Sequence, residues 1–359
     1  MAVRPVSRRK RMLQIKNLSK DLGEFILRDV SLDIERGEYL VIIGPTGAGK
    51  TILLETIAGI YPPDAGKIIL DGRDITSLPP RERNICVVYQ DYMLFPHLNV
   101  EDNIGFGLVS RKMPKDEIKK RVTEAASLLS IDHLLHRSPD TLSGGEQQRT
   151  AIARAIVMAP VLLLLDEPLS ALDGQTRDML RKELRRLHRL YRITVVHVTH
   201  NFEEVFALAD RVAVMNGGDI IQCGQPDEIF RKPDCEFIAN FTGVENIFSG
   251  TCIQKDGASA ITVDGLTIIS GTCTGEEVVR ASVRPEDILI SRDPVKSSAR
   301  NSFKGTITDI VNNGMVIRVT VDAGIPLVSV LTRQGYDEMQ LKEGEEVYLT
   351  FKASAVHVF

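Results

Sequence analysis

Gly44–Thr51 reads GPTGAGKT, and the fold of the first half of the chain turns on it. Glycines at Gly44, Gly47 and Gly49, with Pro45, Thr46 and Ala48 between them, let successive backbone N–H groups close around phosphate oxygens. Lys50 neutralises the β and γ oxygens, and the Thr51 hydroxyl is placed as a Mg²⁺ ligand. The apolar run Tyr39–Ile43 leads directly into this loop and the helix-like TILLETIAG leaves it. That is the strand–loop–helix context the phosphate reading requires.

Downstream, LLLLDEP at Leu162–Pro168 supplies acidic groups. Asp166, at the end of a strand buried on both faces, stands where a Mg²⁺–water shell needs negative charge. Glu167 is the candidate general base for an attacking water. Alone, two acids could equally open a helix whose dipole favours them; the phosphate loop upstream decides the matter. The run Thr194–Val198 ends near His200, and short apolar runs alternate with helix-like segments to about residue 240. This is the pattern of a parallel α/β sheet. More than a hundred residues separate the two motifs, too many for one strand–helix unit, so a helical insertion is expected at about 91–150. Leu180, Leu184, Leu187 and Tyr191 fall on one face of a helix over Thr176–Arg192, the arginines and lysines covering its solvated side.

Composition limits the function. The 359 residues are enough for two or more domains, and 43% hydrophobic with 26% charged residues is ordinary globular usage. A net charge of −4 argues against a broad nucleic-acid surface, and no nucleic-acid partner is expected. Cys86, Cys223, Cys235, Cys252 and Cys273 occur singly and read as reduced cytosolic thiols. No apolar run reaches the roughly 18 residues that span a bilayer. The opening MAVRPVSRRKR is basic without a signal-peptide core, and residues 1–12 are expected as a flexible solvated tail.

Between the two motifs, just before a helix-like segment, lies LSGGEQQR, Leu142–Arg149. With it the chain resembles the nucleotide-binding subunit of an ABC transporter over residues 13–240. The resemblance implies a homodimer with ATP and Mg²⁺ held between two chains. Ser143, Gly144 and Gly145 would clamp the γ-phosphate bound to the opposite protomer, and Asp173 of SALD would communicate across the dimer. Gln90 would touch Mg²⁺ and report to the membrane subunit, and His200 would hold the γ-phosphate. The segment Gln90–Asn103, with its apolar YMLFP, would meet a pair of permease subunits at the cytoplasmic face of the membrane. The chemistry itself needs a second half, because the phosphate loop offers no donor on the far side of the γ-phosphate. Family members carry an aromatic residue that stacks on adenine; here LSKDLGEF offers Leu22 at that place and Phe25 three residues on. Phe25 is either that stacking surface or a core residue. His197 reads as structural.

From Val244 the texture changes to short strands and turns, and residues 241–359 are expected to form an all-β domain. Its last part, 296–359, carries Ser298-Ala299-Arg300-Asn301 and Lys352-Ala353-Ser354. In this it resembles the small Mop-type molybdate-binding domain of molybdate and tungstate importers, which implies an OB/Mop-like regulatory domain. A tetrahedral dianion without a metal is held by hydroxyls, N–H groups and a cation or two; Ser298, Ala299, Arg300, Thr332, Lys352, Ala353 and Ser354 are the candidates. The reading implies a molybdate or tungstate importer ATPase, served indirectly by an extracellular oxyanion-binding protein and inhibited by the oxyanion from the cytosol. The alternatives are sulfate, iron or sugar import, with the tail used only for dimerisation.

Overall fold

The structure is a computed structural model describing residues 10–255, 258–271 and 278–359. It divides into two compact units between Pro226 and Asp227. Of the expected tail 1–12, residues 1–9 lie outside the described residues, whereas Arg11 and Met12 already belong to a strand and Met12 is buried.

In the first unit β1 (Arg11–Asp21), β2 (Ile26–Glu35), β3 (Tyr39–Ile43), α1 (Lys50–Ala58), β4 (Ala65–Leu70), β5 (Arg73–Asp74), α2 (Pro80–Arg83) and β6 (Ile85–Val88) come first. Three helices follow, α3 (Val100–Ser110), α4 (Lys115–Leu128) and α5 (Gly144–Ile156). Then β7 (Leu162–Asp166), α6 (Gly174–Tyr191), β8 (Thr194–Val198), α7 (Phe202–Leu208), β9 (Arg211–Asn216) and β10 (Asp219–Gly224) complete it. An antiparallel sheet in the order β2-β1-β4-β5 lies beside a six-stranded sheet in the order β10-β9-β3-β8-β7-β6. In the latter only β10 runs antiparallel.

Every residue of β3, β7 and β8 is buried, as continuous Val/Ile/Leu runs between two covered faces demand. Leu53, Leu54 and Ile57 of α1 join Leu40, Ile42, Leu162, Leu164, Val196 and Val198 in one core. Each such side chain contributes roughly 1.5–3 kcal/mol on burial. Arg83, almost fully buried, donates to the carbonyls of Thr56, Ile57, Leu78 and Thr76. It thereby satisfies the carbonyls that α1 leaves open at its end. Gly59 makes room for it, since a Cβ there would stand 2.4 Å from the Arg83 Nε. On α6, Leu180, Leu184 and Leu187 are buried but Tyr191 is not. The helix stops at Tyr191, and Arg192 turns left-handed at φ 51°, leaving that ring at the surface.

The second unit opens with α8 (Pro226–Arg231) and α9 (Glu236–Phe241), so both helices stand ahead of the change of texture near residue 240. Then come β11 (Asn246–Lys255), β12 (Ala258–Val263), β13 (Leu266–Ser270), β14 (Val278–Val283) and β15 (Leu289–Ser291). They are followed by β16 (Asn301–Asn312), β17 (Val316–Asp322), β18 (Pro326–Thr332), α10 (Arg333–Met339), β19 (Glu346–Phe351) and β20 (Val356–Val358). Two antiparallel sheets result, β13-β12-β11-β14-β20 and β15-β19-β16-β17-β18, sharing one apolar core. Buried asparagines fasten them together. Asn246 on β11 donates to Val328 O (2.8 Å) and accepts the Val328 N–H on β18. Asn301 on β16 donates to Ile269 O (2.9 Å) and accepts the Ile269 N–H (2.7 Å) on β13.

Candidate active site

The parallel strands bring their carboxyl ends to one edge, where open α/β sheets bind ligands. Gly44 leaves β3 so close to β9 that a Cβ on it would lie 2.1 Å from the Met215 carbonyl oxygen. Gly47 and Gly49 take φ of 79° and 98°, turning the loop's amides inward ahead of α1. Lys50 is buried, its Nζ donating to the carbonyls of Gly44 and Pro45 at 2.9 Å each. Burial pulls its pKa down, and the charges of Glu167 and Asp166 act against that. Thr46 and Ala48 complete the loop.

The Thr51 hydroxyl donates to Asp166 at the end of β7, 3.2 Å away. Burial raises the pKa of Asp166, the Thr51 hydrogen bond lowers it, and the neighbouring Glu167 raises it again. A hydroxyl and a carboxylate meeting beside a phosphate cradle form the all-oxygen donor set suited to Mg²⁺, which would hold phosphate oxygens and draw off their charge. Glu167 adopts φ 45° and its N–H bonds Val198 O, so its carboxylate leaves the strand for the opening. There it meets His200, with Glu167 Oε2 3.1 Å from Nδ1. Gln90 is exposed, two residues past β6, on the same edge. Phe25 is half-buried, with its ring against the phosphate loop: a Cβ on Gly49 would lie 2.3 Å from the ring.

Behind His200 lies a network the sequence reading did not find beyond a structural His197. Tyr39 Oη is 2.9 Å from His197 Nδ1, and His197 Nε2 is 3.2 Å from Glu204 Oε2 in the first turn of α7. The last contact is off the line of a good hydrogen bond, and is an ion pair when the imidazole is protonated. All three side chains are buried. Burial raises the pKa of Glu204, but the His197 imidazole beside it, with the Thr199 hydroxyl, outweighs that and leaves the carboxyl below its usual value. The available sequence signal was an acid four positions beyond His200, facing a histidine inside a buried strand.

Ser143 caps α5, and Glu146 closes a capping box with it. Gly145 permits α5 to start against α6, since a Cβ would stand 2.6 Å from Thr176 Cγ2, while Gly144 faces Leu172 and Tyr92. Asp173 caps α6 by accepting the Thr176 N–H at 3.0 Å.

In the second unit a cleft of about 550 Å³ is lined by Ala299, Lys352 and Ser354, together with Ser282, Ser297 and Lys232. Ala353 lies between Lys352 and Ser354 in the same turn. Ser298, Arg300 and Thr332 do not line the cleft. Thr332 instead accepts the Gly335 N–H as the cap of α10.

What the carboxyl edge of the six-stranded sheet can do is hold ATP by its phosphates, neutralise them and polarise a water, which makes the first unit an ATP-hydrolysing cassette. The ABC transporter family matches residues 27–170, and the TOBE domain matches 297–358. The chain is 48% identical over 350 residues to the molybdate/tungstate import ATP-binding protein of Pyrococcus horikoshii, covering 97% of this chain and 100% of that one. It is 42% identical over 317 residues to the spermidine/putrescine import ATP-binding protein of Trichormus variabilis, covering 86% and 83%. Among solved structures it is similar to a component of an ABC transporter complex from Clostridium perfringens. That likeness has 34% identity and a TM-score of 0.57, over 62% of this chain and 91% of that one. A dimeric ATP-binding cassette bound to ADP and Pi is also similar, with 31% identity and a TM-score of 0.55 over 60% and 99%. The chain belongs to the ATP-binding subunits of ABC transporters, as a transport-coupled ATPase with a C-terminal TOBE domain.

Proposed function

We propose that this chain drives import of molybdate or tungstate, and that its second unit binds the same oxyanion in the cytosol and restrains the engine. The observation carrying the substrate is the identity along essentially the whole chain, 48% to the molybdate/tungstate proteins against 38–42% to the spermidine/putrescine ones. The cassette fits either cargo; the second unit adds Lys352, Ser297 and Ser354 in one cleft, groups suited to a tetrahedral dianion.

In the proposed cycle two chains close on two ATP molecules. Glu167 takes a proton from the attacking water as its oxygen bonds to the γ-phosphorus, and the bond to the β–γ bridging oxygen breaks toward ADP. His200, held by Glu167, donates to the γ-phosphate, and Lys50 offsets charge on the β and γ oxygens. Ser143, Gly144 and Gly145 of the opposite chain face that phosphate from the N-terminus of α5. The segment from Gln90 to Asn103 meets the permease, which anchors the chain at the cytoplasmic face of the membrane. Oxyanion binding to the second unit inhibits only if the ligand prefers the state in which the cassettes are apart.

Titrating the full chain with molybdate, tungstate and sulfate, and assaying ATP hydrolysis by the transporter assembled with its permease at each concentration, tests the reading. Saturable binding of molybdate or tungstate, with hydrolysis falling in the wild type and holding in Lys352→Ala, supports it. No binding, or equal inhibition in Lys352→Ala, removes the regulatory part; preference for sulfate removes the substrate.

A further inference from the structure

The segment following Gln90 is fixed to α5, the helix that Ser143 opens, by contacts the catalytic reading does not use. Tyr92 and Met93 are bulky residues at φ 61° and 44°, a left-handed turn that costs of order 1–3 kcal/mol per residue unless its surroundings impose it. Arg154, near the far end of α5, imposes it. Its Nη1 donates to Met93 O at 2.7 Å and its Nη2 to Tyr92 O at 3.0 Å. The same guanidinium lies over the Phe95 ring, 5.2 Å from the centroid. At the other end of the helix the Tyr92 hydroxyl faces Gly144, 3.6 Å from where a Cβ would be. One strained turn thus touches α5 at both Gly144 and Arg154, about 15 Å apart at 1.5 Å per residue. Asn103, fully buried, ties the turn's exit to α3 by accepting the Phe95 N–H at 2.8 Å and donating to Phe95 O at 3.1 Å. Met93, Phe106 and Val109 leave apolar surface exposed beside it.

We propose that Arg154 is a positioning residue that makes the turn at Tyr92–Phe95 and the helix begun by Ser143 one rigid body. A push on the turn then arrives at the serine that reaches the opposite chain's ATP. The inference rests on the reading in which this turn faces a permease. A guanidinium suits the task because its planar fork spans two adjacent carbonyls while its face stacks on a ring; an ammonium does not.

The test compares wild type, Arg154→Met and Arg154→Lys, each as the chain alone and as the transporter assembled with the permease subunits that co-purify with it. Basal hydrolysis by the chain alone is expected to stay within about twofold in both variants. Stimulation by the permease is expected to fall about tenfold in Arg154→Met, the scale of one lost charge-assisted contact. Arg154→Lys keeps the charge over Phe95 but cannot span both carbonyls, and is expected to couple less well than wild type. Amide exchange at residues 92–95 should rise in both variants while the interior of α5 stays protected. Wild-type stimulation in either variant, with wild type itself stimulated, overturns the inference alone. No stimulation of the wild type overturns the permease reading and the inference with it.

Discussion

Glu204→Gln tests whether the charge of the buried Glu204 carboxylate beside His197 stabilises the first unit. The carboxylate is 2% exposed and lies 3.2 Å from His197 Nε2. At that separation and an effective dielectric constant of 20, Coulomb's law gives about 5 kcal/mol for the pair with both groups charged. Glutamine keeps an acceptor for the Thr199 hydroxyl and recovers about 1–1.5 kcal/mol, and burying a neutral amide costs less than burying a carboxylate. The expected loss is about 2–3 kcal/mol of unfolding free energy near neutral pH, below the 3–5 kcal/mol of a buried pair broken outright. Urea unfolding of wild type and variant, followed by circular dichroism across pH, measures it. The sign follows from the direction of the shift: the folded pKa of Glu204 is depressed. Its stabilisation is therefore complete above the unfolded value of about 4.3 and is lost as pH falls through the lower folded value. The gap between the two proteins should be wide at pH 7 and close below pH 4. A gap under about 0.5 kcal/mol at pH 7, the scatter of ordinary surface changes, or one that persists undiminished well below pH 4, refutes the role of the carboxylate's charge.

Ser143→Arg should abolish hydrolysis while fluorescent-nucleotide binding stays near wild type; normal hydrolysis would refute the two-chain site. Lys50→Met should weaken ATP binding by at least tenfold, read by equilibrium titration, because a buried cation is lost from the phosphate cradle. Asn301→Leu leaves the Ile269 N–H without its acceptor and should destabilise the second unit by about 1–3 kcal/mol in calorimetry, with ATP binding unchanged.

The positions of the phosphate loop, Asp166 and Glu167 were legible because each is a local rule, a glycine spacing and an acid ending an apolar run, which follow from strand and turn chemistry. His200 was singled out only by the family resemblance. Groups that meet across the sheet were not legible. Nothing in the spacing of Tyr39, His197 and Glu204 says that β3, β8 and α7 bring them together, nor that Arg154 reaches back to Tyr92. The same holds in the second unit, where Ser297 and Ser282 join Lys352 and Ser354 in the cleft while Thr332 is spent on a helix cap. Asn301, read as part of a possible ligand string, is instead a fastener between sheets. Side chains of one chemical type serve either role, and only the fold assigns them.

Asn246 and its partner Val328 are 82 positions apart. A ribosome adding 5–20 residues per second needs roughly 4–16 s to cover that interval. For about the last 2–9 s of it, after Val283 completes β14, β11 to β14 exist without the sheet that covers them. Phe248, Ile261, Val263 and Ile268 stay wet, and the Asn246 side-chain oxygen has water in place of the Val328 N–H. The later half of the domain is therefore the lid of the earlier half, and a nascent chain that stalls before Val328 presents a sticky, half-built sheet to whatever chaperone or protease arrives first.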